Sequence, residues 1–361
     1  MTLSNNIFFP FKRILITGGA GFIGGTLIRR LLKETDSIIF NIDKLGYASD
    51  LSWLKISGDH CTRHTHICLD LNDLKATKSA LKKADPDLII HLAAESHVDR
   101  SLDNPSAFIQ SNIIGTFNLL EATRDHWQNL TQNRKTSFRF HHISTDEVFG
   151  SLDEEGKFNE ETPYSPRSPY SASKASSDHL VNAWHHSYHI PTVITNCSNN
   201  YGPYQFPEKL IPVAILKALN NESIPLYGDG KNIRDWLYVE DHVDAIMLVA
   251  KKGELGKSYC IGGYGETTNR DILRMICSCL DIYKPSSSPH SELIKLVKDR
   301  PGHDRRYSIN PKRITQDLAW QPKFNLEKGI QVTVKWYLEN IEWCEFVMKK
   351  SGYEGQRLGK S

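Results

Sequence analysis

The chain has 361 residues, 39% hydrophobic and 24% charged, a globular balance that suits one large or two closely joined domains. Its 44 Lys and Arg against 42 Asp and Glu leave a net charge of +2, which excludes a general electrostatic pull on nucleic acid; a basic patch here would be local and aimed at a small anion. No apolar run is long enough to span a bilayer, the first ten residues lack a secretory pattern, and seven irregularly spaced cysteines without Cys-x-x-Cys read as free thiols in a reducing cytoplasm.

The first third alternates short apolar runs with amphipathic segments. Strands are predicted at Lys12–Thr17, Ser37–Ile42, Leu88–Leu92 and Phe138–Ser144, and helices at Phe22–Glu34 and Pro105–His126. A long helix at Tyr170–Tyr188 and a strand at Pro191–Asn196 continue the rhythm. Such alternation specifies a Rossmann-type doubly wound parallel sheet with helices on both faces. After residue 200 proline, glycine and aromatics become denser, as in Tyr201-Gly202-Pro203-Tyr204, and short elements with long loops are expected. The expected division is an NAD-binding half over residues 1–198, with 231–260 returning to it, a smaller α/β substrate-binding half over 199–345, and a tail over 346–361 that frays from Gly352. His185 and His189 share a helical face, but no carboxylate or cysteine joins them at ligand spacing, so they read as a solvated face and no metal is expected.

The run Thr17-Gly18-Gly19-Ala20-Gly21-Phe22-Ile23-Gly24 joins the first strand to the first helix. Gly18 permits a tight turn, Gly21 lets a pyrophosphate approach the backbone, and Gly24 lets the helix pack close to the sheet. Glycine-rich runs alone are weak evidence, and the strand–helix setting is what raises this one. Asp43 ends the second strand, where an acid can bind both adenosine ribose hydroxyls and repel a 2′-phosphate, favouring NAD over NADP; the adjacent Lys44 acts against that preference. Asp70, in Leu69-Asp70-Leu71, could reach the adenine and would otherwise be an ordinary loop aspartate.

Tyr170 and Lys174 are four apart on a predicted helix and share a face. A free tyrosine titrates at about 10 and is a poor base at neutral pH, so a lysine ammonium and the positive nicotinamide ring are needed to stabilise its phenolate. Thr145-Asp146-Glu147 follows a strand, where parallel-sheet residues face the ligand crevice. Hydride chemistry at an alcohol needs only the Thr145 hydroxyl beside the tyrosine. The two acids are extra, and neighbouring carboxylates driven to opposite protonation states suit a β-elimination. A solvated acidic turn is the competing interpretation, which the strand-end position disfavours.

These stretches, with Leu92-Ala93-Ala94-Glu95-Ser96-His97-Val98-Asp99-Arg100-Ser101, Phe206-Pro207-Glu208-Lys209-Leu210, Ile233-Arg234-Asp235-Trp236 and Asp299-Arg300-Pro301-Gly302-His303-Asp304-Arg305-Arg306, are similar to the dTDP-glucose 4,6-dehydratases, members of the extended short-chain dehydrogenase/reductase group. The resemblance runs from the glycine loop to Trp336. It implies a redox-neutral sequence on a nucleoside-diphosphate hexose, with dTDP-glucose as the expected substrate and NAD as the cofactor. Tyr170 takes the 4-hydroxyl proton while carbon 4 gives hydride to NAD⁺, Glu147 removes the carbon-5 proton, Asp146 protonates the departing 6-hydroxyl, and hydride returns to carbon 6. It places Gly18, Gly21, Phe22, Ile23, Gly24, Asp43, Lys44, Asp70, Leu71, Ala93, Ala94, Tyr170 and Lys174 at the cofactor. It places Ser96, Asn199, Glu208, Lys209, Leu210, Arg234, Asn269, Arg300 and His303 at the substrate, and implies a homodimer with helices 105–126 and 170–188 in a four-helix interface. Arg300, His303, Arg305 and Arg306 also form a cationic cluster of their own, suited to phosphates or to a solvated loop. Gly46 stands where the family usually has threonine, Phe149 where tyrosine is common, and Gly262-Gly263-Tyr264-Gly265-Glu266-Thr267 departs in composition from the family's nucleotide-contact region. A sugar-nucleotide 4-epimerase would share NAD, Tyr170 and Lys174 but needs no acid pair. A non-catalytic NAD-bound protein would typically lose the tyrosine or the lysine. Thymidine against uridine rests on the resemblance alone.

Overall fold

Leu15 packs on one face of the first strand and Ile14 and Ile16 on the other, and each face has its own core. The computed structural model describes residues 8–53, 62–299 and 302–355. Its first half runs β1 (Arg13–Thr17), α1 (Phe22–Glu34), β2 (Ile38–Asp43), β3 (His64–Cys68), α2 (Leu74–Ala84), β4 (Leu88–His91), α3 (Val98–Asp103) and α4 (Pro105–Phe108). A π-helical segment (Ile109–Ile114), α5 (Gly115–Gln128), α6 (Gln132–Ser137), β5 (Arg139–Thr145), a 3-10 turn (Asp146–Phe149), α7 (Pro169–Tyr188) and β6 (Thr192–Cys197) follow. The second half holds β7 (Asn199–Tyr201), α8 (Leu210–Leu219), β8 (Ile224–Tyr227), β9 (Ile233–Arg234), β10 (Trp236–Tyr238), α9 (Val239–Lys252) and β11 (Ser258–Ile261). It ends with β12 (Thr267–Thr268), α10 (Asn269–Tyr283), β13 (Ile294–Val297), α11 (Lys312–Leu318), α12 (Leu326–Glu339) and α13 (Ile341–Ser351).

Seven strands form one sheet in the order β11-β6-β5-β4-β1-β2-β3, with every pairing parallel. The order reverses between β1 and β4, and the carboxyl ends around that switch point are where such sheets bind ligands. Leu27, Ile28 and Leu31 of α1 pack with Val243 and Ile246 of α9 on one face; Leu81 of α2, Leu119 of α5 and Val181 of α7 cover the other. Arg30 of α1 fastens the first layer by ion pairs to Glu240 at 2.8 Å and Asp244 at 2.6 Å on α9. A third core joins Ile211 and Ile215 of α8, Ile272 and Ile276 of α10, and Ile330 and Val334 of α12. Among the described residues no helix is long and apolar enough to cross a membrane.

Two expectations change. The single helix predicted over 105–126 is α4, the π-helical segment and α5 in succession. The widened turn carries Asn112, which is buried and clamps Glu95 by Glu95 N to Oδ1 at 2.8 Å and Nδ2 to Glu95 O at 3.0 Å, with Nδ2 also donating to Ser173 Oγ at 2.8 Å. The segment set apart as a tail from residue 346 starts inside a helix: α13 reaches Ser351, Val347 is buried, and Tyr353 packs on Phe206 with ring centroids 6.0 Å apart. The indole of Trp343 in this helix donates to Asp50 at 2.9 Å, so the segment is anchored to the loop after β2.

Candidate active site

A cleft of about 720 Å³ lies along the carboxyl ends of β1, β4, β5 and β6 and continues under β7–β9 and α10. Its floor is the glycine loop. Gly18 has φ +75°, and a Cβ there would sit 2.7 Å from Ala93 N. A Cβ on Gly24 would lie 2.3 Å from Gly18 O, so α1 can start this close to β1 only with glycine. At Gly21 a Cβ would meet only Gly18 O, at 3.3 Å, on a loop that borders the cleft, so the backbone is bare where a diphosphate would lie. Phe22, Ile23, Asp43, Lys44, Asp70, Leu71, Ala93 and Ala94 line the same end. This cradle fits a dinucleotide.

Asp43 is buried and already engaged: Oδ2 accepts from Ala20 N at 3.0 Å, and Oδ1 from Leu45 N at 2.8 Å and Ser49 Oγ at 3.0 Å. An ionised carboxylate has about four acceptor positions, leaving room for a ribose hydroxyl. The Lys44 ammonium pairs with Glu95 at 3.0 Å.

The reacting end is built by β5 and α7. A capping box of Ser168 and Ser171, with Pro169 in the first turn, starts α7 so that Tyr170 and Lys174 face β5. Thr145 ends β5, and its hydroxyl accepts from Glu147 N at 3.3 Å, starting the 3-10 turn that carries both acids. Thr145, Glu147, Tyr170 and Lys174 line the cleft, whereas Asp146 lies behind them, 1% exposed. Burial first, then Glu147 and Asp235, push the Asp146 carboxyl well above its usual range and favour its protonated form. Its Oδ2 has no hydrogen-bond partner, leaving that end of the acid uncommitted.

Tyr170 departs from the expected balance. Burial and the Glu147 carboxylate push its phenol well above the ordinary value, while the hydrogen bond with Thr145 acts downward. The Lys174 ammonium donates to Ile143 O at 2.9 Å. In the free chain Tyr170 therefore holds its proton, and a bound nicotinamide would supply a positive charge that favours its release.

The substrate end is more divided than the sequence suggests. Ser96, Asn199, Glu208, Lys209, Leu210, Arg234, Asn269 and His303 all line the cleft, whereas Arg300 lies outside the described residues. Asn199 offers a buried, unpartnered Oδ1. Glu208, by contrast, is already bound by Tyr47 Oη at 2.8 Å and Arg100 Nε at 3.0 Å. Arg100 also lies over the Tyr47 ring at 3.7 Å. Lys209 Nζ donates to Ser96 O at 3.0 Å. The expected cationic cluster splits: Arg306 pairs with Glu266 at 2.9 Å, Arg305 lies 3.7 Å from Asp229, and neither lines the cleft. The residues 262–267 stay outside the cleft lining as well, because Gly263 N and Gly265 N donate to Asp235 at 3.2 and 2.8 Å. Tyr307, absent from the sequence reading, lines the cleft beneath the Arg234 guanidinium at 4.3 Å and donates to Asp304 at 2.5 Å. Cys197 lines it too, a thiol that burial raises to about 12. No spacing rule links either to Tyr170.

The family model described as GDP-mannose 4,6 dehydratase matches residues 15–333. The dTDP-glucose 4,6-dehydratase of Shigella flexneri is 51% identical over 352 residues, covering 94% of this chain and 96% of the relative. The crystal structure of the Bacillus anthracis dTDP-glucose 4,6-dehydratase in complex with NAD is 39% identical, with a TM-score of 0.81, over 92% of this chain and 99% of that one. That of the Streptomyces venezuelae enzyme of the same name, also with NAD bound, is 39% identical with a TM-score of 0.82, over 93% and 99%. With the glycine cradle, the Tyr170–Lys174 pair and the acid pair set at one strand end, the chain belongs to the dTDP-glucose 4,6-dehydratase family.

Proposed function

We propose that this chain dehydrates dTDP-glucose to the 4-keto-6-deoxy sugar with tightly held NAD. The observation that carries the reading is the acid pair at the end of β5, one member buried with its protonated form favoured, the other on the cleft wall beside Tyr170. Bound NAD supplies a hydride acceptor for carbon 4 and returns the hydride to carbon 6. Tyr170 takes the proton of the 4-hydroxyl, and the Thr145 hydroxyl holds the 4-oxygen. The resulting ketone acidifies the carbon-5 hydrogen, which the Glu147 carboxylate removes and gives back to carbon 5 when hydride reaches carbon 6. Asp146 delivers its proton to the 6-oxygen, which leaves as water. Since Asp146 lies behind Glu147, a side-chain rotation has to bring that proton forward.

In this reading Gly18, Gly21, Phe22, Ile23, Gly24, Asp43, Lys44, Asp70, Leu71, Ala93, Ala94 and Lys174 hold the cofactor. Ser96, Asn199, Lys209, Leu210, Arg234, Asn269, Arg300 and His303 receive the substrate, and Glu208 holds the wall through Tyr47 and Arg100. Residues 1–198 with 231–260 act as the cofactor half and 199–345 as the sugar-nucleotide half, in support of which β11 pairs with β6 and α9 packs on α1. The protein acts as a homodimer, a reading supported by exposed Ile109, Ile114, Phe117 and Tyr188 on the helices 105–128 and α7. Six free cysteines among the described residues favour a reducing compartment, the cytoplasm. Incubation of the NAD-loaded protein with dTDP-glucose, followed by mass spectrometry, should show loss of one water. A faster reaction with UDP-glucose at equal concentration would move the base assignment to uridine, and no water loss from any nucleoside-diphosphate hexose would defeat the reading.

A further inference from the structure

Behind the site lies a buried anion that the reaction scheme does not use. Asp178 is 0% exposed, one helical turn after Lys174 on α7. Its Oδ2 accepts from Ser144 Oγ at 2.8 Å, Tyr164 Oη at 2.8 Å and Asn196 Nδ2 at 3.2 Å. Its Oδ1 lies 3.1 Å from His142 Nε2 without hydrogen-bond alignment. Three donors on one oxygen favour the ionised form, and a fully buried carboxylate without a cation nearby would be costly.

Among the described residues, the groups around Lys174 supply no other anion at neutral pH. His91 of β4 and His142 of β5 are kept neutral by burial, His142 down to about 4. Cys197 of β6 is a thiol raised by burial. Tyr170, on the same helix, holds its proton. Asp178 is the largest electrostatic influence that keeps Lys174 charged against the penalty of burial. Ser144 and Tyr164, which fix the carboxylate, come from β5 and the loop before α7, the two segments that also set Thr145 and Tyr170.

We propose that Asp178 is a positioning residue of this site: held by Ser144, Tyr164 and Asn196, its carboxylate keeps the Lys174 ammonium charged against the Ile143 carbonyl and so sets the upper pH limit at which Tyr170 can be activated. The proposal rests on the dehydratase reading above, in which Lys174 serves Tyr170. Lys174 is needed in its protonated form, so the rate falls as pH rises through its titration. Removing the Asp178 charge lets Lys174 lose its proton sooner, and this descending limb moves to lower pH.

The test is the pH profile of reduced-cofactor formation when NAD-loaded Asp178→Asn is mixed with dTDP-glucose, with bound NAD content as a check on the folded site. The descending limb should move down by about one pH unit or more, the scale of one nearby opposite charge. Asp178→Glu, which restores the charge, should return it toward the parent position. If Asp178→Asn does not fold, Asp178→Ser, which removes the charge and leaves space for a water to serve Ser144 and Tyr164, carries the same expectation. A rate lowered equally at every pH, with the limb in place and NAD retained, would overturn the role of Asp178 and leave it a packing residue. Failure of the parent chain to reduce its cofactor with dTDP-glucose would instead defeat the dehydratase reading.

Discussion

The two ends of the cleft are built differently. At the reacting end, Thr145, Tyr170 and Lys174 sit on β5 and α7, elements fixed by a parallel sheet and a capping box. At the substrate end, Glu208, Arg234 and His303 sit on short bridging strands and loops, held by contacts that cross between the halves, such as Arg100–Glu208 and Lys209–Ser96. Rigid strand ends hold the groups whose chemistry tolerates little displacement, and loops hold those that select a partner. Changes at the first end should therefore act on turnover, and changes at the second on affinity.

Glu147→Gln should break the reacting end most severely. Dehydration should fall by ~10²–10⁴-fold, the range for a lost general base, while the first oxidation persists and reduced cofactor accumulates on mixing with substrate. Its absorbance measured against water loss makes the test, and water loss at the parent rate would remove Glu147 from the scheme. Arg234→Met should sharpen the contrast from the other end. The Michaelis constant should rise about 10–100-fold, as for losing a charged hydrogen bond, with kcat changed far less. A fall in kcat alone would place Arg234 among the reacting groups.

Asp146→Asn should separate catalysis from stability. The folded chain holds this carboxyl above its ordinary value of 3.8, so folding is penalised wherever the unfolded chain would ionise it. That penalty is absent below the unfolded value and grows as pH rises toward the folded one. The variant should be less active yet melt higher at neutral pH, by about 2–4 °C per kcal/mol of relief, and the gain should vanish in acid. Thermal melts across pH measure this. The smallest effect belongs to Gly46→Thr: a Cβ there meets only Lys44 Cε, at 3.9 Å, so stability should stay within about 0.5 kcal/mol and bound NAD should change only slightly.

Legibility in the sequence follows the same divide. Gly18 and Gly24 are readable because sterics leave no other residue, and the Tyr170–Lys174 pair because four residues make one helical turn. The β-strand alternation of Leu15 against Ile14 and Ile16 gives the sheet its two cores. Residues that act across long sequence distances leave no such period. Tyr307 meets Arg234, and Tyr47 meets Glu208, only through the fold. A basic run also does not say which side chain turns inward, so the sequence groups Arg305 and Arg306 with His303 although Asp229 and Glu266 draw them away. The break in helix 105–126 comes from one widened turn, which buries Asn112 against Glu95 and Ser173.

The proposed elimination needs Asp146, raised by burial and by Glu147 beside it, to carry a proton. Infrared difference spectroscopy of the NAD-loaded protein at neutral pH, parent against Asp146→Asn, addresses it directly. The parent should show a protonated carboxylic-acid carbonyl band that disappears in the variant. Loss of an ionised carboxylate band instead would contradict it, leaving Asp146 without a proton to give to the departing oxygen.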